Sequence, residues 1–374
     1  MATFLSTNRF YRQGARTLAR DYFTSAEHFA VERERIFSRQ WVCVGRERDI
    51  PEPGDFRLID PAGESMLLVR DREGVVRALY NVCRHRGSRL CEVSSGRMTG
   101  SIRCPYHAWT YGLDGRLLTA PHMREATDFD QADWGLHTAQ VAAWQGFLFV
   151  SLADAPVPLA DSIAPMTSRV ERFDLPRLRA AERIEYDVRA NWKIVTQNYS
   201  ECQHCPVIHP GLTRLSPYDS GANDLIEGPF LGGYMMIAED AESMTASGRA
   251  CGVPVGALPA DDHRRVYYYS VFPNLLLSLH PDYVMFHTLW PLAPDRTRIV
   301  CEWLFHPDSL SREDCDPRDA VAFWDETNRQ DWNICEQSQH GVTSRKYAPG
   351  PYSPRESLLA AWDQEYLKHV QGEG

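Results

Sequence analysis

Hydrophobic and polar positions divide the chain into stretches with different rhythms. Near the N-terminus, Phe29, Ile36 and Phe37 fall at helical spacing ahead of Trp41, and Thr24 with Glu27 has the form of a capping box. From Trp41 onward short strand-like runs take over, at 56–59, 66–70, 75–80 and 147–151. Turn signals at Pro53-Gly54, Glu73-Gly74 and Asp114-Gly115 separate them. This predicts a small all-β domain over 41–151. Residues 152–181 are rich in Ala and Pro and predict a connector. Ile184, Tyr186 and Val188 then alternate as a strand does, and 191–205 predicts a helix that Pro206 stops. Runs at 266–272, 274–279, 283–292 and 297–305 predict an antiparallel sheet, and 319–342 predicts a long helix. The expected fold class is α+β. A helical segment over 1–40 packs on a sheet-and-helix domain over 152–374, with the β domain between them.

Composition narrows the function. The length of 374 residues suits two domains, and 43% hydrophobic with 24% charged residues is ordinary for a globular protein. With 40 basic against 50 acidic residues the net charge is −10, which argues against a general nucleic-acid binder. No apolar run approaches a bilayer-spanning length, so no membrane partner and a cytoplasmic location are expected. Arg9, Arg12, Arg16 and Arg20 recur at helical spacing with no acid before Asp21. A basic surface helix or arm is preferred here over an organellar transit peptide. The ten cysteines are expected as thiols or metal ligands rather than as a disulfide framework, those outside the motifs below being small buried hydrophobes.

Two motifs in the β domain carry chemistry. Cys83-Arg84-His85 and Cys104-Pro105-Tyr106-His107 each offer one thiolate and one imidazole. A zinc site accepts two of each in a tetrahedron. A Rieske [2Fe–2S] cluster wants them segregated, both Cys on one iron and both His on the other. One of each per tight loop favours the cluster, because two facing loops can pair like with like. Zinc in a binding protein is the alternative from another class.

A second constellation lies beyond. His204 and His209 do not share a face of a regular helix, but Pro206 between them breaks the helix and lets both rings turn to one point. A carboxylate would complete a 2-His-1-carboxylate triad for Fe(II). Asp331 is the choice: Trp324, Thr327, Asn328, Ile334, Cys335 and Ser338 surround it at helical spacing and supply no cation. Asp325 and Glu336 point inward less. Glu201, one helical turn before His204, suits the carboxylate that accepts a ligating histidine's second N–H. Cys202-Gln203-His204-Cys205 contains a CxxC, without the βαβ context of a thioredoxin-like motif.

The motifs at 83–87, 104–109, 191–193, 198–210, 330–336 and 339–341 together resemble the terminal-oxygenase α subunits of Rieske non-haem iron oxygenases, over nearly the whole chain. The resemblance implies a helix-grip, START-like catalytic domain and a head-to-tail homotrimer. It implies a cluster on Cys83, His85, Cys104 and His107, and mononuclear Fe(II) on His204, His209 and Asp331. Glu201 would bridge His204 to His107 of a neighbouring subunit. Electrons would come from NAD(P)H through a separate flavin/iron–sulfur reductase, since no Gly-rich dinucleotide fingerprint is present. With O2 they would hydroxylate a C–H bond of a small organic substrate. Glu at 201, where ring-hydroxylating members typically carry Asp, resembles the branch acting on quaternary ammonium compounds. That implies oxidative N-demethylation or C–N cleavage, with aromatic or heteroaromatic ring hydroxylation as the alternative. Tyr267, Tyr269, Phe286 and Trp290 are candidate aromatic faces for a methylammonium, although plain strand core is the better reading of each.

Overall fold

The computed structural model describes residues 3–372. It falls into two compact units, residues 36–162 and a second made of the residues before Ile36 together with Ile163 onward.

The first unit is all β. Its strands are β1 (Val42–Arg46), β2 (Asp55–Ile59), β3 (Met66–Arg70), β4 (Val76–Tyr80), β5 (Ser95–Arg97), β6 (Ser101–Arg103), β7 (Thr110–Gly112), β8 (Leu117–Thr119), β9 (Thr138–Trp144) and β10 (Phe147–Ser151). Seven form an antiparallel sheet in the order β1-β10-β9-β4-β3-β2-β5, and β6-β7-β8 form a smaller one. Leu67, Val69, Leu79, Ile102, Trp109 and Tyr111 make a core that also takes in Cys83 and Cys104. The two cysteines are thereby anchored in rigid packing rather than left on free loops.

The second unit contains β11 (Arg179–Val188), β12 (Ala222–Leu225), β13 (Phe230–Met236), β14 (Arg265–Val271), β15 (Leu275–Leu279), β16 (Tyr283–Ala293) and β17 (Arg296–Phe305). They form one antiparallel sheet in the order β11-β17-β16-β15-β14-β13-β12. The long helix Pro317–Val342 starts at Asp316, whose carboxylate accepts from the Arg318 amide at 3.0 Å. It crosses the sheet on polar pins: Trp324 Nε1 donates to Tyr283 Oη at 2.6 Å, and Tyr186 Oη donates to Asp325 Oδ1 at 2.7 Å. That face of the sheet and the helix enclose the site.

Several local elements differ from expectation. Ser25, not Thr24, caps the first helix, Ala26–Glu32, accepting from the Glu27 and His28 amides. The basic segment holds only a short turn, Thr7–Phe10, and lies as an extended arm on its own unit. There the Leu5 amide donates to Asn223 O at 2.8 Å and the Thr17 amide to Gly350 O at 2.9 Å. The helix expected over 191–205 is only Trp192–Tyr199, capped by Asn191 and ending where Ser200 Oγ turns back on Thr196 O at 2.7 Å. Pro206 does not stop a helix but opens a short one, Cys205–Ile208, because its fixed φ suits a first turn where no N–H is needed. Four cysteines are not thiols: Cys202 pairs with Cys205, and Cys251 with Cys315. Among the described residues no helix is long and apolar enough to cross a membrane.

Candidate metal centres

In the β unit, the loops after β4 and β6 each fold back on their cysteine. The Gly87 amide donates to Cys83 O, with Gly87 in the left-handed region at φ +72°, and the Ala108 amide donates to Cys104 O. Like meets like across the loops: the two cysteine side chains are close enough to shift each other's ionisation, and the His85 and His107 rings lie 4.7 Å apart. His85 stacks on Trp109 at 4.8 Å, and Tyr106 covers His107 at 3.7 Å. Tyr111 Oη, 3.3 Å from Cys83 Sγ, also accepts from the Arg84 amide.

Burial raises the Cys83 thiol above its usual value, whereas Cys104 and His85 are held toward the form that ligates. Burial pushes the Cys104 thiol up, but the Tyr106 and His107 amides outweigh it and hold the group below its usual value. Burial, His107 and Arg86 hold His85 down, so it stays neutral. Its Nδ1 is buried without a hydrogen-bond partner, which is costly unless a metal meets it. Segregated sulfur and nitrogen pairs with an orphaned imidazole nitrogen fit a [2Fe–2S] group of the Rieske kind.

In the second unit, His204 caps the short helix Cys205–Ile208 and His209 ends it, so the broken helix aims both rings at one point. Asp331 meets them from the long helix, its Oδ1 lying 3.3 Å from His204 Nε2 and 2.8 Å from His209 Nε2. One ligand atom from each of the three residues lies within 4.8 Å of the others. The outer nitrogens are taken: His204 Nδ1 donates to Glu201 Oε1 at 2.5 Å, and His209 Nδ1 to Gln330 Oε1 at 2.7 Å. Those bonds fix the tautomers and leave both Nε2 atoms for a metal. Burial pulls His204 down, but Asp331 and Glu201 outweigh it and hold it up at about 10, so without a metal the ring carries a proton that a metal on Nε2 would replace. The site therefore attracts positive charge, and the donor set fits Fe(II) with open positions.

Asp325 and Glu336, the weaker candidates, are engaged elsewhere. Asp325 accepts from Tyr186 and Arg329, and Glu336 from the Arg189 amide. Gln330 was missed by sequence reasoning, and its only signal is adjacency to Asp331. Replacing it with leucine is expected to weaken metal binding at the triad about 10–100-fold. Competition with a colorimetric iron chelator measures this.

A cavity of about 250 Å3 opens over the triad. Tyr199, Tyr234, Tyr268, Trp324 and Trp332 supply its aromatic surface, with Met285, Asn328 and His287 below. The four aromatic residues proposed from sequence do not line it. Tyr267 and Tyr269 face away from Tyr268 across the pleat, bonding Asp262 and Asp224, and Phe286 faces away from Met285 and His287. Trp290 bonds Thr288 instead. His287 Nε2 meets Asn328 Oδ1 at 3.2 Å, and burial lowers the ring to about 4, so it is neutral.

Residues 175–372 match the ring hydroxylating alpha subunit catalytic domain, and residues 40–139 match the Rieske [2Fe-2S] domain. The chain belongs to the Rieske ring-hydroxylating α-subunit family. It is an oxidoreductase with a [2Fe–2S] domain and a non-haem iron catalytic domain. It is similar to the glycine betaine monooxygenase oxygenase subunit of Chromohalobacter salexigens, at 33% identity over 91% of this chain and 83% of that one. It is also similar to the carnitine monooxygenase oxygenase subunit of Escherichia coli K12, at 33% identity over 54% of each. Its fold matches the quaternary ammonium Rieske monooxygenase CntA with L-carnitine, with a TM-score of 0.80 at 24% identity over 98% and 99% of the two chains. Naphthalene 1,2-dioxygenase from Rhodococcus sp. shares that fold, with a TM-score of 0.75 at 21% identity over 94% of each chain.

Proposed function

We propose that this chain is the terminal oxygenase of a system that hydroxylates an N-methyl or neighbouring C–H bond of a small betaine, a quaternary ammonium carrying a carboxylate. Cys83, His85, Cys104 and His107 hold the cluster, and His204, His209 and Asp331 hold Fe(II). Glu201 links His204 to His107 of a second copy in a trimer, and a separate reductase supplies electrons from NAD(P)H. The cluster and iron together supply reductive activation of O2. If the attacked carbon is an N-methyl, the resulting hemiaminal collapses to formaldehyde and the demethylated amine.

The observation that carries this reading is the distribution of charge and aromatic surface in the cavity. Its volume falls below the roughly 300–1,000 Å3 of pockets for drug-sized ligands, which suits a small molecule. Tyr199, Tyr268, Trp324 and Trp332 offer ring faces, each good contact with a methylammonium contributing about 0.5–2 kcal/mol. Asp331 and Glu201 offset the charge of a bound Fe(II), so a cation can approach the metal end. Arg355, exposed and resting over the Tyr218 ring at 5.7 Å, is the lining residue suited to a carboxylate. A betaine fits between the aromatic surface and Arg355, cation inward and carboxylate outward. Glu201 holds the His204 ring and its Nδ1 proton, while Asn328 fixes His287. The relatives' substrates, glycine betaine and carnitine, have this chemistry.

The test is NADH and O2 uptake with purified reductase over glycine betaine, carnitine, choline and simple arenes, with formaldehyde measured alongside. Coupled uptake with a betaine is expected. Diols or phenols from arenes with no betaine turnover would contradict the reading. Arg355→Gln is expected to raise KM for the betaine about tenfold, with kcat kept and any choline turnover unaffected. An equal loss with choline would remove Arg355 from carboxylate recognition.

A further inference from the structure

The CxxC, to which the proposed function gives no role, spans the turn between the helix Trp192–Tyr199 and the short helix Cys205–Ile208. Cys202 and Cys205 are disulfide-bonded, with Cα atoms 5.0 Å apart, and His204 sits between them. Cys205 Sγ lies 4.0 Å from His204 Nε2. Both carboxylate oxygens of Glu201 are satisfied from within this closed ring, Oε1 by His204 Nδ1 at 2.5 Å and Oε2 by the Gln203 amide. On the far side, Cys205 O accepts the His209 amide at 2.8 Å, so Cys205 is held in the short helix. Cys202 is held more lightly, its O accepting only the Cys205 amide at 3.3 Å. It lies just past the end of Trp192–Tyr199, in the turn that carries Glu201. The disulfide adds a covalent cross-link, beyond the backbone, between that turn and the ligand-bearing helix.

The two disulfides differ in access. Cys251 is 4% exposed and Cys315 9%, and they close a loop of 64 residues. Cys205 is 2% exposed, but Cys202 is only half-buried. An attacking thiolate can approach the Cys202 sulfur, and exchange depends on such access.

We propose that Cys202 and Cys205 form a reversible redox pair that sets how firmly Glu201 is held on His204. A dithiol reductant attacks the Cys202 sulfur and breaks the S–S bond. It delivers two electrons and two protons and itself closes to a disulfide. The turn from Ser200 to Gln203 is then held to the helix only by the chain itself and the Cys205 amide on Cys202 O, and the Glu201 carboxylate loosens from the ring it orients. In the reverse direction, hydrogen peroxide oxidises one thiol to a sulfenic acid with loss of water. The second thiol displaces a further water, and the S–S bond closes. The closed state is the one with Glu201 seated. A looser Glu201 slows electron transfer between subunits, a consequence that rests on Glu201 as the bridge; the chemistry of the pair does not.

The experiment uses the metal-loaded holoenzyme under anaerobic conditions in dithiothreitol redox buffers, quenched with iodoacetamide and read by peptide mass. Cys202 and Cys205 are expected to open at a dithiol-to-disulfide ratio about tenfold lower than Cys251 and Cys315. Amide exchange over 201–204 is expected to quicken about fivefold on reduction. The high-spin iron–nitrosyl EPR signal, formed with nitric oxide and without substrate, is expected to change shape as the His204 environment loosens. A C202S/C205S double variant should show the reduced-state exchange and EPR shape permanently, with no response to dithiol. Opening of both disulfides at one ratio, or exchange and EPR shape unchanged by reduction, would overturn the proposal. A failure of betaine turnover sinks the substrate reading but leaves these three readouts intact.

Discussion

Asp331→Ala is expected to keep the cluster absorption spectrum and lose substrate-coupled O2 uptake by well over ~100-fold, since outer partners alone change metal affinity about 10–100-fold. Oδ1 of Asp331 is the one carboxylate atom facing both Nε2 atoms, at 3.3 and 2.8 Å. Burial pushes its carboxyl up, but His204 and His209 beside it outweigh that, so it stands ionised below the usual carboxylate value. Without it two neutral imidazoles remain, and their affinity for Fe(II) falls. Alanine is the best helix former, so the helix Pro317–Val342 persists and the loss reads as a site defect. Iron content per chain separates the possibilities: the variant keeps its cluster iron and lacks the mononuclear ion. Full activity in Asp331→Ala would remove Asp331 from the ligand set.

Lys193→Met is expected to destabilise the catalytic unit by about 3–5 kcal/mol, the cost of leaving a buried charge without its partner. Lys193 and Glu32 form an ion pair in which both side chains are fully buried. Burial pulls the Lys193 ammonium down, and Glu32 pushes back. Glu32 also accepts from Trp192 Nε1 at 2.8 Å and Tyr366 Oη at 2.6 Å. This carboxylate therefore ties the helix Ala26–Glu32 to Trp192–Tyr199 and to the C-terminal helix Ser357–Gln371. The second of these leads directly into Glu201. Thermal unfolding of the catalytic unit measures the effect. Glu32→Gln combined with Lys193→Met should recover much of the loss, because no unpaired charge then remains. Equal stability of single and double variants would contradict the account.

What was legible in the sequence depended on how local its cause is. The cluster loops could be read because spacing within each motif brings Cys and His together and Gly87 permits the turn. The strands over 266–305 could be read because alternation and turns are local. Asp331 emerged from the absence of cations around it on one helix. Tyr267, Tyr269 and Phe286 are strand core, as preferred, and the cavity wall lies one residue of strand parity away. Tyr268 and Tyr267 are adjacent, and only the position of the long helix decides which face is the cavity. The Cys251–Cys315 pair, 64 residues apart, has no local cause. The helix expected through Glu201 was mistaken because nothing in its hydrophobic pattern reports that Ser200 would bond back to Thr196. Glu201 still reaches His204, through a turn rather than along a helix face.

The account stands on two distinct iron centres in one polypeptide. Iron and acid-labile sulfide quantified on anaerobically purified protein, with Mössbauer spectra, test it most directly. The account predicts about three irons and two sulfides per chain, with one ferrous ion spectroscopically separate from the antiferromagnetic pair. A colourless protein carrying zinc and no sulfide would contradict it.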